Sequence, residues 1–365
     1  MKIAYLLGSL NRGGTETLLL DVFKNASKAD FDFIGIHRKD GVLKNDFYAA
    51  GQKILKVSPK FPVDVFYFFK LRKLLKKENV QIVHAQQCLD ALYAWIACLG
   101  TSIKVVQTFH GYDNLDLNKK NKLTAFTTKR TEKNFFVSQS TRDFYVKKYS
   151  LNATKQAVVY NGISFEKLDK ITDFEELEFR KKTDLFLGVV GNFNSVRDQM
   201  TVCRFLNLLN KQNVDFQFVF AGKKVENEAF LYDDCVNFCK ENNLLEKVHF
   251  LGTRNDVPAI LKQLDVFVYS TDHDTFGIAV IEAIAVGIPV FVNDWEVMSE
   301  ITDNGKLAVL YKTKDEQNLL EKLMLFLQNR NEYAQKAKEN SQIVRDKFSI
   351  EKHLQNLKKE YDSIC

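Results

Sequence analysis

The sequence predicts an α/β protein built from two doubly wound domains. The chain has 365 residues, more than one hydrophobic core usually serves. Short runs rich in Val, Ile and Phe alternate with amphipathic stretches, a pattern typical of parallel strands covered by helices on both faces. A polar, charged stretch at residues 161–184 interrupts the pattern, which then restarts. This stretch marks the expected linker.

In the first half, predicted strands alternate with helices near residues 15–26, 64–77, 89–99 and 139–149. The strands are expected at residues 3–7, 31–36, 81–84, 104–108, 134–137 and 157–160. Second-half strands are expected at residues 185–190, 216–221, 248–251, 266–269, 289–292 and 307–310. We therefore predict an N-terminal domain at 1–165 and a C-terminal domain at 166–347, with a last helix at about 348–365 packing back onto the first domain.

Several classes of protein are disfavoured. No run of 18 or more apolar residues occurs, so the sequence excludes a membrane-spanning helix. Residues 1–8 lack the basic segment and cleavage site of a signal peptide and are expected to form a first strand. The six cysteines lack the paired short spacings of zinc sites. We expect a cytoplasmic protein with reduced cysteines and no metal site.

The net charge of +6 is unevenly distributed. Residues 1–165 contain 26 Lys and Arg against 13 Asp and Glu, a net charge of +13. Residues 166–365 contain 26 basic and 33 acidic residues, a net charge of −7. The basic excess predicts that the first half faces something anionic, such as nucleic acid, a lipid surface or a phosphorylated substrate.

Ligands of open parallel sheets bind at the carboxyl ends of the strands, so residues after each strand are candidates for a site. Gly13 and Gly14 follow the first strand and precede a helix, whose first N–H groups suit a phosphate. The sequence has neither a G-x-G-x-x-G fingerprint nor a Walker lysine here, which disfavours dinucleotide and P-loop sites. A plain tight turn is the alternative interpretation.

Gly191 and Asn192 follow the first strand of the second domain in the same way. Arg197 stands at the start of the next helix, where its guanidinium and the helix N–H groups could together hold a diphosphate. A solvated arginine in a loop is the alternative interpretation.

The most informative segment is residues 274–290. Its pattern predicts a helix from near Gly277 to Gly287. Glu282 then lies inside an otherwise apolar helix, where a buried carboxylate is costly unless a partner satisfies it. Asp274 precedes the helix, so the two acids could bind separate hydroxyls of one ligand whose phosphate faces the helix start. An Asp cap with a satisfied core Glu is the alternative interpretation.

Two histidines stand at strand ends of the first domain. His84 ends one predicted strand, and His110, followed by Gly111, comes after the next. A histidine in such a place can hydrogen-bond a sugar hydroxyl, whereas a satisfied structural histidine is the alternative. We favour the ligand role for His110, and for His84 both interpretations stay open.

In this order along the chain, the motifs resemble the retaining glycosyltransferase family 4, which has the GT-B fold. The resemblance covers nearly the whole chain and rests on the N-terminal glycine loop, the His-Gly pair, the Gly-x5-Lys/Arg phosphate loop and the acid-x7-acid motif. It implies two Rossmann-like domains facing an interdomain cleft. It also implies a retaining hexosyltransferase that moves a sugar from a nucleotide diphosphate sugar, with a UDP-sugar as the expected donor, to an acceptor hydroxyl.

The resemblance also implies roles for single residues. Glu282 would bind the donor ribose, Asp274 the sugar hydroxyls and Arg197 the diphosphate, while His110 would lie beside the donor sugar. The other implied ligand-binding groups are the backbone N–H groups of Phe276, Gly277 and Ile278, the phosphate-loop residues Gly191 and Asn192, the pair Gly13 and Gly14 from the other domain, Gly111, and Arg254 and Asn255 near the nucleobase.

Four residues depart from the family pattern. Asp274 stands where the family usually has Glu, so its carboxylate is one methylene shorter. Asn192 stands where the family commonly has Arg, which leaves Arg197 as the main cation. Asp294 and Trp295 replace a frequent glycine pair. The missing Arg at position 192 predicts less neutralisation of the diphosphate.

The resemblance implies a front-face mechanism in which the departing phosphate oxygen takes the acceptor proton, without a dedicated base. Stabilising the leaving-group charge is then the main demand, met by Arg197 and the helix starts near Asp198 and Gly277. Asp-x-Asp triplets at 30–32 and 272–274 have the spacing of metal-dependent transferases, but neither lies where a metal is expected. We expect a metal-independent reaction without a cofactor.

Residues 64–77 predict a helix with an aromatic and leucine face. Its five cations are Lys70, Arg72, Lys73, Lys76 and Lys77. An ordinary amphipathic helix is one interpretation, and attachment to an anionic membrane is the other. A second basic cluster lies at 119–130. We hypothesise peripheral attachment to the inner face of the plasma membrane, with a saccharide or lipid-linked acceptor of the kind used in surface polysaccharide, lipopolysaccharide or glycolipid synthesis.

Two other functions stay open. A catalytically weak nucleotide-sugar-binding subunit is motivated by Asp274 and Asn192. A nucleotide-sugar epimerase on the same architecture is disfavoured by the family motifs. No nucleic-acid motif accompanies the basic half, so nucleic acid is not an expected partner.

Overall fold

The computed structural model describes residues 1–61, 64–112, 118–171, 173–180 and 183–365, and within these it leaves out the side chains of residues 118–120. The chain divides into two compact units. The N-terminal unit comprises Met1–Ile163 and Phe348–Cys365, and the C-terminal unit comprises Ser164–Lys347.

Each unit contains one parallel sheet. The strands of the N-terminal unit are β1 (Lys2–Ser9), β2 (Asp32–Lys39), β3 (Ile54–Lys56), β4 (Ile82–Ala85), β5 (Lys104–Phe109), β6 (Lys133–Phe136) and β7 (Gln156–Val158). Those of the C-terminal unit are β8 (Phe186–Val190), β9 (Gln217–Ala221), β10 (Val248–Gly252), β11 (Val266–Tyr269), β12 (Val290–Asn293) and β13 (Val309–Tyr311). Their orders are β3-β2-β1-β4-β5-β6-β7 and β10-β9-β8-β11-β12-β13.

Helices connect the strands. Within Met1–Ile163 the helices are α1 (Gly14–Lys24), α2 (Lys44–Ala49), α3 (Val65–Lys77), α4 (Cys88–Cys98), α5 (Asn118–Arg130) and α6 (Gln139–Tyr149). They continue with α7 (Glu166–Asp169), α8 (Gln199–Lys211), α9 (Ala229–Glu241), α10 (Val257–Gln263), α11 (Ile278–Val286), α12 (Glu296–Ile301), α13 (Glu316–Gln328), α14 (Arg330–Phe348) and α15 (Ile350–Asp362).

Both faces of the N-terminal sheet are covered, which explains why its central strands are apolar on both sides. Alternate residues of β1 point to opposite faces. Ile3, Tyr5 and Leu7 pack with the buried residues of α1, α2 and α15. Ala4 and Leu6 pack with those of α3 and α4. Helix α15, at the end of the chain, therefore contributes to the core of the N-terminal unit.

All predicted strands are present with ends shifted by a few residues, and the prediction of two doubly wound sheets is confirmed. The predicted elements of the N-terminal unit did not include β3, α2 or α5; α5, with the sequence NKKNKLTAFTTKR, has few apolar residues to reveal a helical period. Strand β3 has three residues at the sheet edge, none of them fully buried. Helix α2 has six residues, of which only Phe47 is buried. Elements this short show too little hydrophobic periodicity to be recognised.

The strand order reverses once in each sheet. β1 lies beside β4 in the N-terminal unit, and β8 lies beside β11 in the C-terminal unit. Doubly wound sheets bind ligands at the carboxyl ends of the strands beside such a reversal. In the C-terminal unit, this places the loop that carries Arg197 next to the loop that carries Asp274.

In the described ranges, no three His, Cys, Asp or Glu side chains are grouped closely enough to hold a metal ion. Within the same ranges, no helix is both long enough and apolar enough to cross a membrane.

Candidate active site

The loop after β8 is fastened to the end of β9. The N–H of Gly191 donates to the carbonyl of Ala221 at 3.0 Å. A Cβ atom on Gly222 would lie only 1.9 Å from the carbonyl oxygen of Gly191, so this position requires glycine. Oδ1 of Asn192 accepts the N–H of Lys223 at 3.0 Å. The Asn192 side chain, expected to contact a ligand, thus holds the two loops together.

Arg197 lies against the end of β11. Its Nη1 donates to Oδ2 of Asp274 at 2.6 Å, and its guanidinium carbon lies 4.9 Å from the ring centroid of Tyr269. The Tyr269 hydroxyl donates to the same Oδ2 at 2.6 Å. Nε of Arg197 is buried and has no hydrogen-bond partner among the described residues. A methyl group on Gly191 would lie 3.2 Å from this Nε, so the glycine leaves room for the guanidinium.

The other oxygen of Asp274 caps its own loop. Oδ1 accepts the backbone N–H groups of Thr275 at 2.8 Å and Phe276 at 3.3 Å. Burial by itself would raise the pKa of Asp274, but the charge of Arg197 and the hydrogen bonds from Tyr269 and these amides outweigh it and hold the pKa below its usual value. Asp274 is therefore a carboxylate at neutral pH, and the Phe276 N–H already has an acceptor.

Helix α11 begins and ends at left-handed glycines, Gly277 with φ +80° and Gly287 with φ +89°, which confirms the predicted helix. A side chain at Gly277 would also meet the Met298 side chain at 2.7 Å. Ile278 starts the helix, and no described side chain caps it. Glu282 lies in its second turn and is half-buried rather than buried, which lowers the cost of its charge.

The start of α8 differs from that of α11. Oδ1 of Asp198 accepts the N–H of Thr201 at 3.2 Å, and the Thr201 hydroxyl donates to Oδ2 at 2.7 Å. A carboxylate therefore already occupies the positive end of this helix. We expected both helix starts to stabilise a diphosphate; a side chain already caps α8, whereas no described side chain caps α11.

The loop before α11 is held in place from the next strand. Nε1 of Trp295 donates to the carbonyl of Asp274 at 3.3 Å, and its ring stacks on His273 with centroids 5.6 Å apart. Asn293, at the end of β12, receives the N–H of Thr271 at 2.9 Å and donates to the Thr271 carbonyl at 2.6 Å. The position of the Asp274 loop thus depends on contacts from the end of β12.

Arg254 and Asn255 lie elsewhere on the same sheet. They follow β10, which β9 separates from β8. Nε of Arg254 donates to Oδ1 of Asp256 at 2.8 Å, and this contact holds the pKa of Asp256 below its usual value. Asn255 is exposed. The structure therefore brings together Gly191, Arg197 and Asp274, and places the expected nucleobase contacts at the sheet edge.

In the N-terminal unit, Gly13 and Gly14 form the start of α1. Gly13 is extended, with φ −152° and ψ 171°, and no described side chain caps the helix. Oε2 of Glu16 lies 2.6 Å from the place a Cβ atom on Gly13 would take. An acidic side chain thus lies at the helix start where a phosphate was expected.

His110 follows β5 and is neutral at physiological pH. Its Nε2 and Oε1 of Gln86 form a hydrogen bond of 2.9 Å, and the carbonyl of Gly111 accepts the Tyr145 hydroxyl at 3.0 Å. Burial lowers the pKa of His110 to about 3, with a smaller effect from nearby His353. His110 can therefore exchange hydrogen bonds with a hydroxyl but does not supply positive charge.

His84 is a structural residue. Its Nδ1 bonds the Tyr361 hydroxyl at 2.6 Å, and its Nε2 bonds Oγ1 of Thr108 at 2.6 Å. Burial lowers the pKa of His84 well below its usual value. Because both ring nitrogens already have partners, the structure favours the structural interpretation that the sequence left open.

Two family models match consecutive parts of the chain. Residues 12–167 match the model of Glycosyltransferase Family 4, and residues 169–344 match that of glycosyl transferases group 1. The chain belongs to glycosyltransferase family 4. The two Rossmann-like units of this family 4 glycosyltransferase make up the GT-B fold.

Relatives of this family 4 glycosyltransferase are distant in sequence. It is 22% identical to the O-antigen biosynthesis glycosyltransferase WclY of Escherichia coli, over 100% of this chain and 99% of that protein. It is 25% identical to an E. coli UDP-Gal:alpha-D-GlcNAc-diphosphoundecaprenol alpha-1,3-galactosyltransferase, over 63% of this chain and 62% of that protein. Anabaena HepE in complex with UDP is similar in structure, with a TM-score of 0.85, 16% identity and 100% coverage of both chains.

The sequence did not predict the role of four residues that shape these loops: Tyr269, Trp295, Gly222 and Gln86. Each ends a strand or follows a strand end by one or two residues. Their place at carboxyl ends is the signal that could have identified them. Their contacts depend on which strands are neighbours, and the chain order alone does not reveal that.

Proposed function

We propose that this protein is a retaining hexosyltransferase that moves a sugar from a UDP-sugar to an acceptor hydroxyl in the synthesis of bacterial surface polysaccharide, lipopolysaccharide or glycolipid. The observation that carries this proposal is the buried Nε of Arg197, which has no described partner and lies at the strand reversal of the C-terminal sheet. Three similar proteins support it: WclY is named for O-antigen biosynthesis, the galactosyltransferase for a UDP-Gal donor and a diphosphoundecaprenol acceptor, and HepE was solved with UDP.

The chemistry assigned to these residues is stabilisation of a leaving group. Arg197 and the start of α11 hold the diphosphate as its negative charge develops, and Glu282 accepts hydrogen bonds from the ribose hydroxyls. The bond from the anomeric carbon to the phosphate oxygen breaks while the acceptor oxygen bonds the same face. The acceptor proton passes to the departing phosphate oxygen. His110 hydrogen-bonds the transferred sugar as a neutral group, and the reaction uses no metal or cofactor.

The donor site is tested by ligand binding. A panel of nucleotide sugars is screened for protection against thermal unfolding, where a ligand at 100 times its Kd adds about 2.7 kcal/mol of stability. Glu282→Ala is expected to abolish protection by the donor, whereas Glu321→Ala, on the exposed side of α13, is expected to retain it. Unchanged donor affinity in Glu282→Ala would mean that the ribose assignment is wrong.

Turnover separates the proposal from its alternatives. A transferase releases UDP only when an acceptor is present, and the product keeps the anomeric configuration of the donor. Tight binding of UDP-sugar without turnover would instead favour a binding subunit. Conversion of the donor sugar without an acceptor would favour an epimerase.

We also propose that the N-terminal unit attaches to the anionic cytoplasmic face of the plasma membrane through α3. Tyr67, Leu71 and Leu75 are the buried side of this helix. On the opposite side, Phe66 is 74% exposed and Phe69 is 62% exposed. Side chains of this size are rarely left in water as a group, and a lipid interface accommodates them.

The cations of α3 divide into two groups. Lys70, Lys73, Lys76 and Lys77 are exposed. Each such residue near an anionic membrane contributes about 1 kcal/mol to binding. Arg72, which was predicted to belong to this basic group, instead donates from Nε to the Ala97 carbonyl at 2.7 Å and also binds the Leu99 carbonyl. It caps α4 and is not part of the membrane surface.

The second basic cluster lies on the same layer of helices, because α4 packs against both α3 and α5. Lys122, Lys129 and Arg130 are exposed, and the Arg130 guanidinium lies over the Phe126 ring. The side chains of Lys119 and Lys120 lie outside the described residues. The aromatic residues and cations of this layer suit an anionic lipid surface.

Co-sedimentation with vesicles tests the attachment. Binding to vesicles containing anionic lipid is expected to exceed binding to neutral vesicles, and Phe66→Ser with Phe69→Ser is expected to reduce it. Phe230→Ser is a matched control, because Phe230 is 60% exposed on α9 of the other unit. Equal binding to anionic and neutral vesicles would contradict the proposal.

A further inference from the structure

The carboxylate of Asp274 has no acceptor capacity left for a ligand. An ionised carboxylate offers about four acceptor positions. Oδ2 receives Nη1 of Arg197 and the Tyr269 hydroxyl, both at 2.6 Å. Oδ1 receives the N–H groups of Thr275 at 2.8 Å and Phe276 at 3.3 Å. To bind a sugar hydroxyl, Asp274 would have to give up one of these donors.

The same contacts fix the guanidinium of Arg197 in one orientation. Asp274 holds Nη1, and the Tyr269 ring lies beneath the group at 4.9 Å. Nε, on the remaining side, is buried against Gly191, where an added Cβ atom would lie 3.2 Å away, and it has no described partner. A planar guanidinium donates in fixed directions, so holding one edge determines where the other edge points.

We propose that Asp274 and Tyr269 are positioning residues that orient Arg197 toward the diphosphate, and that Asp274 is not a ligand of the transferred sugar. This inference rests on the proposed function of the same site. It replaces the sugar-binding role that the acid-x7-acid motif implied for Asp274. The shorter side chain is consistent with it, because Asp keeps the carboxylate within reach of its own loop amides and of Arg197.

The two roles predict different losses. A residue that orients Arg197 supports the binding of every ligand that carries the diphosphate. Its replacement is therefore expected to lower the affinities for UDP and for UDP-glucose by the same factor. Replacing a residue that binds sugar hydroxyls lowers the affinity for UDP-glucose and leaves the affinity for UDP unchanged. Hydrogen bonds to charged groups are among the stronger ones in proteins, so we expect a loss of about tenfold or more.

The experiment measures Kd for UDP and UDP-glucose by calorimetry in the full-length protein, with Asp274→Asn as the main variant. Asn can accept the two loop amides or the Arg197 and Tyr269 donors, but not both pairs. Tyr269→Phe is the second variant, since it removes only the hydroxyl and keeps the ring beneath Arg197. Asp233→Asn is the matched control, because Asp233 forms an equally short ion pair with Lys224 on the exposed surface of the same unit.

A double-mutant cycle with Arg197→Ala excludes a merely structural role. If Asp274 acts through Arg197, Asp274→Asn costs no further UDP affinity once Arg197 is Ala. A further loss in the Arg197→Ala background would show that Asp274 acts independently of Arg197 and would overturn the proposal. An unchanged or increased UDP affinity in Asp274→Asn would overturn it as well.

The outcomes for the proposed function are separate from these. Suppose that the wild-type protein binds UDP and transfers sugar, and that Asp274→Asn lowers the affinity for UDP-glucose alone. The positioning role is then wrong, and the transferase proposal stands. If the wild-type protein binds no nucleotide of the panel, the proposed function itself is wrong.

Discussion

Between pH 7 and pH 5, the free energy of unfolding of the N-terminal unit is expected to fall by about 2 kcal/mol less in His353→Gln than in wild type. His353 lies on α15, where its Nδ1 and the Tyr160 carbonyl form a hydrogen bond of 2.7 Å. Burial lowers the pKa of His353 to about 4. In the unfolded chain the pKa returns to about 6.5, so below that pH the unfolded state binds more protons than the folded state.

The sign and magnitude follow from this difference in pKa. The contribution of a neutral His353 is complete above pH 6.5 and is lost as the pH falls toward 4. Between pH 7 and pH 5 the free energy of unfolding is expected to fall by about 2 kcal/mol for this group, because each pH unit costs about 1.4 kcal/mol. His84 and His110 titrate in the same direction in both proteins, and the variant also removes the smaller effect of His353 on their pKa values, so the difference reports His353 together with this coupling.

The assay is urea unfolding at pH 7 and pH 5, followed by tryptophan fluorescence. The chain has two tryptophans, and in a Trp295→Phe background Trp95 reports the N-terminal unit alone. His273→Gln is the control, because the His273 side chain is 65% exposed and belongs to the other unit. An equal loss of stability between the two pH values in His353→Gln and in wild type would contradict the assigned role of His353.

Two further substitutions test contacts that determine loop and helix positions. Gly222→Ala is expected to destabilise the C-terminal unit by about 3 kcal/mol or more, because the new Cβ would lie 1.9 Å from the carbonyl oxygen of Gly191; Gly14→Ala, with nothing within 4 Å, is expected to be neutral in the same urea titration. Arg72→Ala is expected to cost about 1 to 2 kcal/mol because it uncaps α4, and a cost no larger than that of Lys73→Ala would contradict this role.

The alternation of apolar runs and amphipathic stretches was enough to predict both sheets, their parallel strands and the helix between Gly277 and Gly287. These features are local, because a few consecutive residues determine the side-chain periodicity and the conformations of the glycines. The order of the motifs was likewise enough to recognise the family. Elements too short to show a period, such as β3, could not be predicted.

Only the tertiary structure decided which side chains meet. Arg197 and Asp274 are 77 residues apart and meet because β8 and β11 are neighbours. Arg72 was predicted to be a surface cation, but it donates hydrogen bonds to carbonyls that are 25 and 27 residues away along the chain. The sequence by itself determined that a cation and a carboxylate follow these strands. The sheet order determined that they pair, because strand pairing brings together loops that are distant along the chain.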